Sequence, residues 1–181
     1  MKHPSGRNCR GLTIINLLSS IVIIAILVGF VIPGFSNVID ANRKREAVSQ
    51  LMAMLNYARD TAVHGSTSVI ICPTNATGSC ASDWNETLMV FIDANNNFEF
   101  DNDDRKVQTF KFIDEKQSLN WRSFGSKHYL SYDDQGTTGY QSGRIYYCDE
   151  NANEPHDKAQ IIIYRTGRAR IASRSEYKSG C

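Results

Sequence analysis

Arg10-Gly11-Leu12-Thr13-Ile14-Ile15-Asn16-Leu17-Leu18-Ser19-Ser20-Ile21-Val22-Ile23-Ile24-Ala25-Ile26-Leu27-Val28-Gly29-Phe30-Val31-Ile32-Pro33 is the stretch on which the fold turns. From Gly11 to Ile39, 29 consecutive positions carry no charged side chain. A helix needs only about 20 apolar residues to cross a bilayer. Lys2, Arg7 and Arg10 precede this run and no acid does, which holds the N-terminus on the cytoplasmic side and sends the C-terminus across. A secretory signal peptide would have an apolar core of about 7–15 residues and then a small-x-small cleavage site. This run is longer, and Pro33-Gly34-Phe35-Ser36-Asn37 offers no such site. An ordinary signal anchor also fits the span.

Beyond Ile39 the apolar pattern changes period. Val48, Leu51, Met52, Leu55, Ala58 and Ala62 follow helical spacing, while Arg43, Lys44, Arg45, Glu46 and Arg59 fall mostly elsewhere. The pattern predicts one helix from about Leu12 to His64, its second half packed on a sheet, with His64-Gly65 as the stop. Short runs rich in β-branched and aromatic residues follow at 68–72, 88–92, 107–112, 129–132, 144–148 and 160–165. Turn-forming segments at 75–85, 93–104, 133–142 and 149–157 separate them. A long helix and then a series of strands is an α+β layout: an N-terminal transmembrane helix packed on an antiparallel sheet.

Of the 20 Lys and Arg residues, three precede the apolar run; the remaining 17 face 19 Asp and Glu, a formal charge of −2. Global charge therefore gives no attraction for an anion, and any such role needs a local patch. Cys9 lies before the apolar run, and Cys72, Cys80, Cys148 and Cys181 lie beyond it. An even set in a translocated domain predicts disulfides. Three pairings are open; proximity favours Cys72–Cys80, a short loop that closes at little entropic cost, and leaves Cys148–Cys181 to pin the C-terminus. Free buried thiols are the other reading, and the spacing is not that of a metal site.

The Arg10-Gly11 junction, followed by Leu12-Thr13-Ile14-Ile15-Asn16, resembles the class III signal of type IV prepilins and pseudopilins. The resemblance implies a prepilin peptidase that cuts after Gly11 and methylates Leu12, where Phe is usual. It divides the chain into a leader (1–11), a transmembrane and assembly half-helix (12–36) and an extracytoplasmic globular domain (37–181). The family's helix proline is matched by Pro33, where a missing donor and a ring clash should kink the helix. Where this chain has Asn16 the family usually carries Glu, which pairs with a free N-terminal amine during assembly. Asn hydrogen-bonds but supplies no charge. Some tip-located pseudopilins also lack that Glu.

Further motifs narrow the resemblance to the FimT/FimU and GspH proteins. They are Tyr57-Ala58-Arg59-Asp60-Thr61-Ala62, Cys72-Pro73, Trp84-Asn85 with Val90-Phe91-Ile92-Asp93-Ala94-Asn95-Asn96-Asn97, and Arg165-Thr166-Gly167-Arg168-Ala169-Arg170. The implied protein is a minor subunit without enzymatic activity or cofactor. It would sit in the inner membrane with its C-terminal domain in the periplasm, then in a pilus or pseudopilus. Its implied partners are the peptidase and other pilins. A type IV pilus and a type II secretion machine are both open.

Arg165, Arg168, Arg170, Arg174 and Lys178 crowd the last 17 residues, with Glu176 the only acid among them. Gly167 allows a left-handed turn. Beyond it, Arg168, Arg170 and Arg174 share strand parity, so an extended chain would project all three to one side. Planar guanidinium forks suit phosphates. The resemblance adds that a Gly-Arg-x-Arg element contacts DNA in FimT-type pilins of transformable bacteria; Gly167-Arg168-Ala169-Arg170 matches it. An ordinary exposed strand whose arginines pair with acids is the plainer reading. With only Tyr164 and Tyr177 nearby to stack bases, the sequence favours duplex or backbone binding over a single-strand reader. Asp93–Asp104 spaces oxygen side chains like a calcium loop, but has Phe98 at the turn where Gly is usual and a short Asp at the end; a polar hairpin loop is the simpler reading. His64, His128 and His156 stand apart with no nucleophile set.

Overall fold

The computed structural model describes residues 13–112, 117–149 and 158–181, with 28–37 described by backbone alone. Gly11, Leu12 and His156 lie outside the described residues. The chain divides after Asp40 into two units.

Helix α1 spans Ile14–Gly65. Thr13 begins it: its carbonyl accepts from Leu17 N, and its hydroxyl from Asn16 N at 3.4 Å. In the first unit, the side chains from Thr13 to Leu27 are all exposed, Ile14 at 77% and Leu27 at 59%. Among the described residues, no helix is long and apolar enough to cross a membrane. Pro33 falls within the helical range.

In the second unit, the helical spacing read from the sequence becomes a packed face. Val48, Leu51, Leu55, Ala58 and Ala62 are buried, joined by Ala47 and Met54. Gly65 ends the helix, and Ser66 turns the chain with a positive φ of 48°.

Eight strands follow: β1 (Ser68–Pro73), β2 (Leu88–Asp93), β3 (Arg105–Phe110), β4 (Gln117–Phe124), β5 (Leu130–Tyr132), β6 (Ser142–Asp149), β7 (Ala159–Ile163) and β8 (Ala169–Ile171). All pairings are antiparallel, but they build two four-stranded sheets rather than the single sheet expected: β3-β2-β1-β5 and β4-β6-β7-β8. The extra sheet rests on β4, which the sequence reading missed. Only Leu119 and Trp121 are buried there, on alternate positions of an otherwise polar run, as a strand with one solvated face requires.

One core joins the helix to both sheets. Val69, Ile71, Val90 and Tyr132 from the first sheet meet Trp121, Ile145, Tyr147 and Ile161 from the second. The other face of the first sheet buries Ile70, Cys72, Met89 and Phe91 beneath Cys80, Phe100 and Tyr129. The Trp84-Asn85 motif connects β4 to this assembly. Trp84 lies 5.9 Å from Trp121 and donates from Nε1 to Lys127 O, and Asn85 Oδ1 accepts from Leu119 N at 2.8 Å.

Both favoured disulfides form, Cys72–Cys80 and Cys148–Cys181. The second draws the C-terminal tail across the outer face of β6 and β7. There Gln160 exchanges hydrogen bonds with the backbone of Lys178, Arg144 donates to Glu176 O, and Gly180 lies so close to the Tyr146 ring that a Cβ would collide with it.

Candidate functional site

Tyr164 to Arg168 form the hairpin turn between β7 and β8, closed by Tyr164 N to Arg168 O at 3.0 Å and Gly167 N to Tyr164 O at 2.9 Å. Gly167 has φ +76°, and a Cβ on it would run into the carbonyl oxygen of Gly136. Only glycine meets both conditions, the left-handed backbone and the close approach.

The neighbouring loop, 133–141, clamps this turn. Thr138 N donates to Arg165 O at 3.0 Å, Thr138 Oγ1 to Tyr164 O, and Arg165 Nε to Gly139 O at 3.0 Å. Asp133 stiffens the loop by accepting from the backbone of Gln135 and Thr137 and from the Thr137 hydroxyl. Half-buried Arg59 on α1 reaches both pieces, donating from Nε to Gly136 O at 2.8 Å and from a terminal nitrogen to Thr166 O at 3.5 Å. The Tyr-Ala-Arg motif therefore has a structural task that its charge alone did not suggest: one guanidinium on the helix binds two turns.

The four arginines meet different environments. Arg168 is exposed and has no side-chain partner among the described residues. Arg165 sits over the Tyr140 ring, 5.2 Å from its centroid. Arg170 is engaged: its two terminal nitrogens donate to the two carboxylate oxygens of Glu176 at 2.8 and 2.5 Å, and its Nε to Tyr164 Oη at 2.9 Å. Glu176 also accepts from the backbone and hydroxyl of Ser173. The Arg170 hydrogen bonds, then those from Ser173, hold its carboxyl far below the usual carboxylate range, and the same pairing raises Arg170.

Arg174 does not share the strand parity expected for it. β8 ends at Ile171, Ala172 N bonds to Gln160 O, and the chain turns into a short 3-10 helix, Arg174–Glu176. The cause is the return of Glu176 to Arg170 and Ser173, which an extended chain could not make. Arg174 remains exposed, without a side-chain partner among the described residues.

Sequence reasoning missed Tyr140 and the Glu176 clamp. Both depend on contacts across an irregular loop, for which no periodic signal exists.

The Asp93–Asp104 loop closes on its own donors. Buried Asp93 accepts from Asn97 N and Phe98 N, Asp104 from Ala94 N and Asp101 N, and Asp101 from the amides of Asn95 and Asn97. The hydrogen bond from Asp103 N, then those from the Asn95 and Asn97 side chains, hold the Asp101 carboxyl below its ordinary value. Phe98 takes the left-handed turn, φ 63°, that Gly would take in a calcium loop. Among the described residues, no group of three or more His, Cys, Asp or Glu side chains could hold a metal ion. His64 bonds locally, its Nδ1–H donating to Asp60 O at 2.8 Å.

A long N-terminal helix packed through its second half on antiparallel sheets, with a disulfide-tied C-terminus, defines a pilin-like subunit. The profile of the family described as Type II transport protein GspH matches residues 47–167, and the chain belongs to that family. The fold is also that of the type IV minor pilin FimU of Pseudomonas aeruginosa (strain PAO1). Its crystal structure in space group P21 is 18% identical, with a TM-score of 0.58, covering 77% of this chain and 96% of FimU. The form in space group P65 is 17% identical, with a TM-score of 0.55, covering 76% and 98%. A search of curated proteins finds no match.

Proposed function

We propose that this protein is a minor type IV pilin of the FimT/FimU kind that helps prime or cap a pilus and binds DNA without sequence preference, supporting DNA uptake in natural transformation. The observation that carries the DNA reading is Arg168: exposed, without a partner among the described residues, and held on a turn that Gly167, Thr138 and Arg59 fix in place. Arg165 and Arg174 add positive charge nearby in sequence, and Arg170 contributes where Glu176 yields it. Guanidinium forks of this kind position a phosphate backbone and carry no base code. Three phosphate contacts would give a slope of log K against log salt of about −2.7.

In this reading Gly11 and Leu12 form the processing site, residues 12–36 the membrane and assembly segment, and residues 37–181 the periplasmic domain. The exposed apolar side chains from Ile14 to Leu27 suit lipid before assembly and neighbouring pilins after it. Asn16, whose backbone N–H donates to the capping Thr13 hydroxyl, brings no carboxylate to that assembly. The test is fluorescence anisotropy of labelled duplex DNA with the detergent-solubilised protein across a salt series. Binding should fall steeply with salt and vanish in R168A/R170A, R168A alone causing the larger share; unchanged binding in the double variant defeats the reading.

The family match favours one other reading, a GspH-like minor pseudopilin of a type II secretion system with protein partners only. A deletion strain that loses exoprotein secretion but keeps DNA uptake and twitching would select it.

A further inference from the structure

Tyr140 is 76% exposed, and its hydroxyl has no partner among the described residues. Most of its ring faces solvent among the described residues. Yet the loop that carries it is one of the most tightly bonded in the domain, through Asp133, Thr138 and Gln141, whose amide bridges Tyr129 O and Ser131. The Arg165 guanidinium lies over one side of the ring, itself held by Nε to Gly139 O. The terminal nitrogens of Arg165 have no hydrogen-bond partner among the described residues. A rigid aromatic ring beside fixed cations is a stacking platform for a flat, weakly polar ring attached to an anion.

Tyr140 also helps line an open groove of about 710 Å³. The groove holds a second ring pair, Phe98 stacked on Tyr129 at 5.2 Å, with Phe98 42% exposed. Asp133 and Asp134 line it as well. Asp133 spends its oxygens on its own loop, but Asp134 is exposed and would repel a phosphate. The surface is thus divided: cations of the β7–β8 turn on one part, rings and carboxylates on the other. A duplex keeps its bases stacked inside and offers only phosphates, which the groove rejects. An unpaired strand offers both: phosphates for Arg165 and Arg168, and free base faces for Tyr140.

We infer that this surface takes unpaired DNA, stacking a base on Tyr140 while Arg165 and Arg168 hold the flanking phosphates. The inference rests on the DNA-binding reading above and names its substrate class. It departs from the sequence-based preference for duplex or backbone binding, because Tyr140 lies 25 positions from Arg165 in the chain and only the fold joins them.

The test is anisotropy with the full chain in non-ionic detergent and three labelled probes of equal length. They are a mixed-sequence single strand, the same strand made abasic, and the duplex. The wild type should prefer the single strand to the abasic one by roughly tenfold, the worth of one good stack. Y140A should erase that preference while keeping the affinity for the abasic strand and the duplex, and Y140F should retain it. Equal wild-type affinity for single and abasic strands overturns this inference and leaves the DNA reading standing. No binding to any probe at low salt overturns both. If Tyr140 seats a neighbouring pilin instead, Y140A will leave all three affinities unchanged and lower incorporation into filaments, which also overturns it.

Discussion

The two carboxylate oxygens of Glu176 stand where two phosphate oxygens would, within 2.8 Å of the terminal nitrogens of Arg170. On the DNA-binding reading proposed above, an incoming strand must displace this internal anion before it can use Arg170. E176Q should therefore strengthen duplex binding several-fold and steepen the salt slope by about 0.9, one phosphate's worth. Anisotropy on the variant checks both, and an unchanged slope would mean that Arg170 stays occupied without the carboxylate. The pairing has a defined pH range. The folded-state pKa of Glu176 is depressed below its ordinary 4.5, so the stability it lends is complete above that value and is lost only as pH falls toward the lower folded one. The clamp thus stays closed from neutral pH down to about 4.5, and wild-type binding should show no step from Glu176 across that interval. The cluster of arginines was legible because charge density is a local property of sequence. Its division into free and occupied members was not, because the partner is an acid beyond the end of β8, in a segment where strand alternation no longer predicts direction.

Each disulfide ties a different element. Cys72–Cys80 closes a separation of 8 residues over the outer face of β1, and Cys148–Cys181 closes 33 between β6 and the chain end. On chain entropy alone these are worth about 2.5 and about 3.7 kcal/mol. C148S/C181S should accordingly lower the urea midpoint more than C72S/C80S. It should also free the tail from Gln160, Arg122 and Asn120, seen as faster amide exchange at Lys178 and in β7. Equal midpoints would show that the tail's hydrogen bonds and its contact with Tyr146, not the cross-link, hold it. The helix and six of the strands were legible because their apolar residues repeat at 3.6 or crowd into short β-branched runs. β4 was not, since Leu119 and Trp121 are its only buried apolar residues, and the partition into two sheets depends on pairings that no single run encodes.

At the scale of the whole chain, two kinds of surface share one polypeptide. Residues 13–27 expose only uncharged, mostly large apolar side chains, whereas the unit from Ala41 onward buries most of its apolar residues in its own core. A fragment beginning at Asn37 should remain soluble and monodisperse without detergent and melt within a few degrees of the full chain. Size-exclusion chromatography and thermal melts decide this, and aggregation of the fragment would show that the N-terminal segment contributes to the fold. The order of motifs from Tyr57 to Arg170 was legible because each marks a packing or turn requirement: Arg59 binding two turns, Trp84 bridging to β4, Gly167 without room for a Cβ. One feature of the C-terminal region bears on load. From Cys148 through β7, the Gly167 turn and β8 to Cys181, the backbone is a closed covalent ring. Tension applied at Arg168 therefore finds no free end to peel. It divides between two arms, one resisted by the ladder of β7 on β6 and the other by a sulfur–sulfur bond, so the turn should yield by shearing many bonds together and not by unzipping them singly.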